Sequence, residues 1–336
     1  MFKESEIFKE KLDIDVSIII NVHNQPLSLK LALRSLLNQD FRGFQEVIVA
    51  DDGSSSNIFS ELHQDFDKAG IPLKYVWQQD RGMRENVSFN NGIRLARGNY
   101  LLFLAGDMVP NLDLVKKHME THIQPKLIVA GNRNWRGEIN PVIFESLDYK
   151  PIRVVLHDLE YQWQTDEMSK RRELGENEKR KQWLHSKNPW RAAFACNLSV
   201  PNNPEVEFDE SYVGWGNYDQ ELAYRLHANY DYHTIYREDI HAYHLESPDS
   251  VANVYRTKKH EDIVNYLRNT CYFFDKCPGL EIEEVFFGFA RLQLDRDTDR
   301  WVVVEKPTNK LSTSQLEQKV REVRDWLSAH GVYSST

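Results

Sequence analysis

Glu46-Val47-Ile48-Val49-Ala50-Asp51-Asp52-Gly53-Ser54 decides the fold of this chain. Its apolar run has the length of a buried strand, and carboxylates and a glycine follow at once. The same grammar recurs at Tyr100-Leu101-Leu102-Phe103-Leu104, which runs into Ala105-Gly106-Asp107. Upstream, Val16-Ser17-Ile18-Ile19-Ile20 is β-branched and reads as the first buried strand. It ends in the polar turn Asn21-Val22-His23-Asn24, after which Pro26 suits the opening of a helix. That helix carries Leu27, Leu31, Leu36 and Leu37 and should end near Gln39. Residues 57–69 read as a second helix, with Ile58, Phe59, Leu62 and Phe66 on one face. A strand over 73–77 and a helix over 86–97 complete a β-α-β-α-β-α-β alternation. Such an alternation implies a mostly parallel sheet flanked by helices, with right-handed crossovers.

The texture changes between 150 and 190. Residues 165–188 are dense in Glu, Lys, Arg and Gln, and the expectation is a solvated helical excursion. A mobile lid or acceptor-facing element is the alternative, because Trp163, Trp183 and Trp190 offer aromatic faces. Residues 192–200 return to strand character, and 221–228 look helical. Past 248 the chain is mainly helical, with Val251, Val254, Ile263, Val264 and Leu267 as apolar positions. A short strand is expected at 301–304. The last helix reads as starting at a capping box, Ser314-Gln315-Leu316-Glu317, with the stripe Leu316, Val320, Val323 and Leu327 and an end at Gly331. These shifts divide the chain into 1–150, 151–247 and a C-terminal extension, 248–336, read as a packing or interaction appendage through which an oligomer could form.

The bulk numbers exclude several classes. A net charge of −9 over 336 residues argues against a general nucleic-acid binder, which needs a basic face. Cys196, Cys271 and Cys277 are too few and too irregular for a disulfide framework or a zinc site. The charged stretch Met1-Phe2-Lys3-Glu4-Ser5-Glu6 lacks the apolar core of a signal peptide, and no stretch has the length of a transmembrane helix. The expectation is a cytoplasmic α/β protein, peripheral at a membrane surface at most.

In open α/β sheets, ligands bind beyond the carboxyl ends of the parallel strands. Asp51 and Asp52 therefore lie where a carboxylate can accept a hydrogen bond from a base or a ribose hydroxyl. The competing reading is an Asp/Gly/Ser turn that caps the next helix. Asp107 suits a hard cation that keeps most of its shell as phosphate oxygens and water; alternatively it caps a helix near Pro110. Gly214-Trp215-Gly216-Asn217-Tyr218-Asp219-Gln220-Glu221 places carboxylates at a helix start, where the dipole favours ionisation and a general base can form. Trp215 offers a flat wall for a sugar ring. In His241-Ala242-Tyr243-His244-Leu245-Glu246, His244 could complete a metal site with Asp107. In Gln79-Asp80-Arg81-Gly82-Met83-Arg84, the arginines suit phosphates and Asp80 a base or an arginine, against the reading of a solvated turn.

Taken in order, these pieces resemble the family 2 glycosyltransferases of the GT-A, nucleotide-diphospho-sugar fold, over roughly residues 14–247. Residues 17–24 look like that family's opening strand and turn, 47–54 like its nucleotide-binding strand, and 80–92 like the stretch before its metal strand. The Gly-Trp-Gly segment is similar to the acceptor motif of the chondroitin-polymerase and β-galactosyltransferase-like branches. The resemblance implies an inverting transferase of UDP-sugars dependent on Mn2+ or Mg2+. Asn21, His23, Asn24, Asp51, Asp52, Asp80, Arg84 and Gly106 would face the donor, and Asp107 and His244 would hold the metal. Trp215, Gly216 and Glu221 would face the acceptor, with Asp219 as base. The acceptor would be a glycan, a lipid-linked sugar, a peptide or a small molecule. Residues 1–150 would form the nucleotide-binding half and 151–247 the acceptor-side half. Two positions depart from the pattern. Ala105 stands where the family's Asp-x-Asp motif has its first Asp, and Tyr218 stands where the acceptor motif usually has Glu. The first departure sustains an alternative, a binding or scaffold protein on the same fold. A nucleotidyltransferase ranks last, because residues 21–26 contain neither glycine nor lysine.

Overall fold

The computed structural model describes residues 2–4, 13–56, 59–136, 143–144, 146, 150–245, 260–304 and 311–333. Ile58, Val251 and Val254, assigned above to helix faces, lie outside them, as does the boundary at 247.

Nine strands form one sheet: β1 (Phe2–Glu4), β2 (Val16–Val22), β3 (Gln45–Asp51), β4 (Leu73–Trp77), β5 (Tyr100–Ala105), β6 (Met108–Pro110), β7 (Leu127–Arg136), β8 (Asn197–Pro201) and β9 (His233–Leu245), in the order β1-β4-β3-β2-β5-β8-β7-β9-β6. β2, β3, β4, β5, β7 and β9 run one way, and β1, β6 and β8 run against them. The expected mostly parallel sheet is therefore present; β2, β3, β4 and β5 are the four strands read from the N-terminal half of the sequence, and β1 was not foreseen. The continuous apolar runs arise because both faces are covered. Ile19, Ile48 and Phe103 point into one core, while Ile18, Ile20, Val47, Val49 and Leu104 point into the other. That is the period of two expected of a strand.

The crossovers are α1 (Pro26–Leu36), α2 (Phe59–Ala69) and α3 (Glu85–Leu95). α1 ends at Leu36 rather than near Gln39 and leaves Leu27 53% exposed; its buried leucines are Leu29, Leu31, Leu33 and Leu36. α4 (Leu114–Thr121) follows β6. Residues 152–184 form α5 (Ile152–Thr165) and α6 (Glu167–Leu184). Strand character over 192–200 is confined to β8, because a 3-10 turn over Pro189–Ala192 comes first.

The excursion is not simply solvated. α6 has no apolar stripe, yet Glu173, Asn177 and Arg180 are buried against β7 and β9. Arg180 donates to the carbonyls of Ala192 and Gly131. Asn132 and Asn134 donate to Glu173, and the Tyr236 hydroxyl donates to Asn177. These positions lie at i, i+4 and i+7, one face of a helix. The face is polar, so a search for apolar periodicity misses it.

After α7 (Tyr218–Tyr230) and β9 come α8 (His260–Lys276), α9 (Ile282–Val285), a hairpin of β10 (Leu292–Asp295) and β11 (Arg300–Val303), and α10 (Thr313–Ala329). The α10 cap is Ser312, whose box partner is Gln315, not the pair of Ser314 and Glu317. Leu267, Phe286, Trp301 and Leu327 join the same hydrophobic core as Ile19 and Phe103, so the C-terminal segment packs into the main core. Trp190, considered above as a sugar-facing ring, is buried there too. No helix among the described residues is long and apolar enough to cross a membrane.

Candidate active site at the strand ends

The carboxyl ends of β2, β3 and β5 bring Asn21, Asp51, Asp52 and Asp107 together, because parallel pairing sets Val22 opposite Asp51 and Asn21 opposite Ala105. Asp51 builds the turn: it accepts from the Ser54 N–H at 2.7 Å and the Tyr75 hydroxyl at 2.5 Å. Asp52 accepts from Gln78 Nε2 and the Arg84 N–H, both at 2.6 Å. Burial raises the Asp52 pKa, against the pull of those two donors. His23 Nδ1 meets the Asp52 carbonyl at 2.8 Å, and Asn24 Oδ1 accepts from the Ser55 N–H at 2.9 Å, so the two strand-end loops are stitched together. Asn21 is buried, and its Nδ2 has no partner among the described residues. Asp80 is exposed and accepts from the Gly82 N–H. Arg84 has a buried Nε without a described partner.

Asp107 caps no helix. β6 begins at Met108, pairs with β9 and sets Met108 opposite His244. His244 Nε2 thereby lies 3.2 Å from Asp107 Oδ2, and Gln25 Nε2 lies 3.5 Å from the same oxygen. Burial disfavours the Asp107 charge, but His244 and Gln25 outweigh it and hold the carboxyl below its ordinary pKa. Adjacent ligands of an octahedral ion bound at 2.0–2.1 Å stand about 3 Å apart, so this oxygen and nitrogen fit one Mn2+ or Mg2+. No group of three such ligands exists among the described residues, so phosphate oxygens and water would complete the shell. Gly106 has a packing reason for its identity: a Cβ there would stand 2.9 Å from the Asn21 carbonyl and Val22.

Asp219 enters from the start of α7. The loop before it holds Gly214, Gly216 and Asn217 at φ of 71°, 110° and 66°, a left-handed run that glycine makes affordable. Asn269 of α8 clamps that loop by donating to the carbonyls of Val213, Trp215 and Gly216. Asp219 accepts from the Gln220 N–H at 2.8 Å. Burial raises its pKa, while the Gln220 and Ala195 N–H groups and the Arg133 charge moderate the rise. Trp215 leans on Tyr266, with ring centroids 5.2 Å apart, and lines a crevice with Ile263, Leu292 and Val303.

Glu221 belongs elsewhere. Residues two apart on a helix point to opposite sides, and Glu221 is fully buried, paired with Arg225 at 2.9 Å and Lys276 at 2.8 Å. It ties α7 to α8 and does not line the cleft. Instead the cleft gains Glu85, the first residue of α3, whose Oε2 accepts from the Tyr218 hydroxyl. Burial pushes Glu85 up to about 7; Tyr218 opposes this, and Asp107, Asp52 and Asp219 add to it. One side chain thus senses all three candidate carboxylates.

The family model described as Glycosyl transferase family 2 matches residues 17–189, half of the chain. The chain belongs to glycosyl transferase family 2. Its relatives include a chondroitin synthase of Escherichia coli, 29% identical over 292 residues that cover 81% of this chain and 41% of that protein. A hyaluronan synthase of Pasteurella multocida is 28% identical over 260 residues, covering 73% and 26%. A validoxylamine A glucosyltransferase of Streptomyces hygroscopicus subsp. jinggangensis is 28% identical over 290 residues, covering 81% and 63%. The chain thus spans between 26% and 63% of the length of these relatives. A structure of S. aureus TarS 1-349 in complex with UDP aligns at a TM-score of 0.46 and 15% identity, over 96% of this chain and 73% of that one.

Around the Asp107–His244 pair of this family 2 member, α6 supplies further side chains. Glu176 accepts from Arg133 Nε at 2.8 Å, Arg133 Nη2 at 2.9 Å and Trp135 Nε1 at 3.2 Å. The Trp135 ring stands edge-on to His244, with centroids 4.4 Å apart. Burial disfavours the Glu176 charge, but Arg133 holds the carboxyl below its ordinary pKa. The only advance signal of these side chains was the polar spacing along α6.

Proposed function

We propose that this chain transfers a sugar from a UDP-sugar to an acceptor hydroxyl with inversion, Asp219 acting as general base. The observation that carries the reading is the convergence of Asp52, the Asp107–His244 pair and Asp219 on one cleft, with Glu85 between them. Relatives named as chondroitin and hyaluronan synthases and a glucosyltransferase support sugar transfer.

In this reading Asp52, Asn21 and the 21–24 turn hold the uridine, with Asp80 and Arg84 at its rim. Asp107 and His244 would hold Mn2+ or Mg2+, which would supply positive charge against the diphosphate. Asp219 takes the proton of the acceptor hydroxyl as its oxygen attacks the anomeric carbon opposite the nucleotide. The bond from that carbon to the phosphate oxygen breaks, and UDP leaves with the electron pair. A carboxylate of raised pKa is the stronger base for this task. Trp215 and Gly216 border the acceptor side. Ala105 removes one carboxylate from the metal strand, and His244 supplies the second ligand.

The test is a thermal shift with UDP, with and without Mn2+, on the wild type and Asp107→Ala. UDP at about 100 times its Kd adds roughly 2.7 kcal/mol of stability. The expected result is a Mn2+-dependent rise in Tm that the variant loses. No shift with UDP under either condition overturns the reading.

A further inference from the structure

We propose that Glu85 is a specificity-determining residue that binds a hydroxyl of the transferred sugar, held in place for that task by the Tyr218 phenol. The inference rests on the UDP-sugar reading and deepens it.

Glu85 opens α3, and the N–H of the preceding Arg84 is bonded to Asp52, so its backbone is fixed to the nucleotide side. Its Oε2 receives the Tyr218 hydroxyl, and Tyr218 immediately precedes Asp219 in the first turn of α7. The Tyr218 ring is itself braced by Phe208, with centroids 5.8 Å apart. Glu85 therefore spans the gap between the donor side and the base. The group that must occupy that gap during transfer is the sugar.

Glu85 is half-buried, and its Oε1 makes no hydrogen bond to any described residue. A carboxyl oxygen held in place with no protein donor is available to bond a ligand. Sugar hydroxyls supply donors of the right reach, and a site built around one hydroxyl discriminates strongly against an analogue that lacks or misplaces it. Asp51 and Asp52 have both oxygens engaged, by Ser54 and Tyr75 and by Gln78 and Arg84. In the same reading Asp107, whose Oδ2 lies beside His244 and Gln25, is committed to the metal and Asp219 to the acceptor proton.

The experiment is calorimetric binding of UDP, UDP-glucose, UDP-galactose, UDP-N-acetylglucosamine and UDP-N-acetylgalactosamine with Mn2+. The proteins are the wild type, Glu85→Ala, Glu85→Gln and Tyr218→Phe. The wild type is expected to prefer one intact donor. Glu85→Ala should lower that donor's affinity about tenfold or more and level the preference, with UDP affinity changed less than twofold. Tyr218→Phe should act in the same direction by a smaller factor. Glu85→Gln keeps the shape of the side chain and carries the test where the alanine variant does not fold; it too should lose most of the preference. An unchanged preference in the folded variants, or a loss shared equally by UDP, overturns the role of Glu85 alone. So does a wild type that binds UDP without distinguishing the sugars. A wild type that binds no UDP overturns the transferase reading as well.

Discussion

Asp219 carries the sharpest prediction at the scale of one residue. Replacing it with Asn keeps the side-chain shape and its bond from the Gln220 N–H. General base assistance is worth about 10²–10⁴-fold, so kcat should fall by that factor while Tm stays within a degree or two. The pH profile supplies a second check. Burial raises the pKa of Asp219 above 3.8, so the acid limb of kcat/KM should lie above the ordinary aspartate range. Activity should fall as pH drops through that value, and the Asn variant should lose the limb. A variant with most of its turnover intact removes Asp219 from the mechanism. Asp52, Asp107 and Asp219 stood out in the sequence as candidates because each follows a strand or opens a helix, and the strand ends are where open α/β sheets bind ligands. Glu85 was not, because the first residue of an amphipathic helix reads as a solvated acid favoured by the helix dipole. Glu221 misled for the opposite reason: nearness in sequence to Asp219 suggested a shared face, which helical geometry denies.

At the scale of elements, β2, β3, β4 and β5 could be read because burial on both faces leaves an unbroken apolar run. β7 and β9 could not. β7 ends in Asn132-Arg133-Asn134-Trp135-Arg136, and β9 carries Arg237-Glu238-Asp239 at its middle. Asn132, Arg133 and Asn134 are polar because α6 covers them with a polar face rather than an apolar one, whereas Arg237, Glu238 and Asp239 are exposed. The energetics of such a contact are asymmetric: removing one partner strands the others. Arg180 is the test, being 1% exposed and donating to the carbonyls of Ala192 and Gly131. Arg180→Ala leaves both carbonyls short of a donor and should cost about 3–5 kcal/mol, seen as a clear drop in Tm. Glu178→Ala, on the exposed side where among the described residues it meets only Lys181, at 3.7 Å, should leave Tm unchanged. Equal effects of the two substitutions would return α6 to a solvated excursion.

At the scale of the whole molecule, the site is assembled across the entire chain. The Asp219 loop is held by α8, the Asp107–His244 pair sits beside β5 and β9, and the core that supports them runs from Ile19 to Leu327. The sheet is stitched at its centre by a buried polar chain. His122 Nε2 meets Ser199 Oγ at 2.7 Å, Ser199 Oγ meets His118 Nδ1 at 2.9 Å, and His118 Nε2 meets Asn197 Oδ1 at 2.8 Å. Asn197 Nδ2 then reaches the carbonyls of Asn132 and Ile240, joining β8 to β7 and β9. With one hydroxyl proton to share, the chain closes with both imidazoles neutral: His122 Nε2–H donates to Ser199 Oγ, whose proton goes to His118 Nδ1. Burial lowers the His118 pKa to about 4. Burial, and then the neighbouring His118, lower His122 to about 3. The sign follows from linkage. Below pH 6.5 the unfolded chain takes up protons that the folded chain refuses, so stability rises with pH in that window. Full stability is present above pH 6.5 and is lost as pH falls toward about 4, roughly 3 kcal/mol from His118 alone. Tm measured from pH 7 to pH 5 should therefore decline. His118→Gln should start from a lower Tm at pH 7 and decline less steeply. An identical slope in wild type and variant would show that the acid sensitivity of the fold resides in its carboxylates instead.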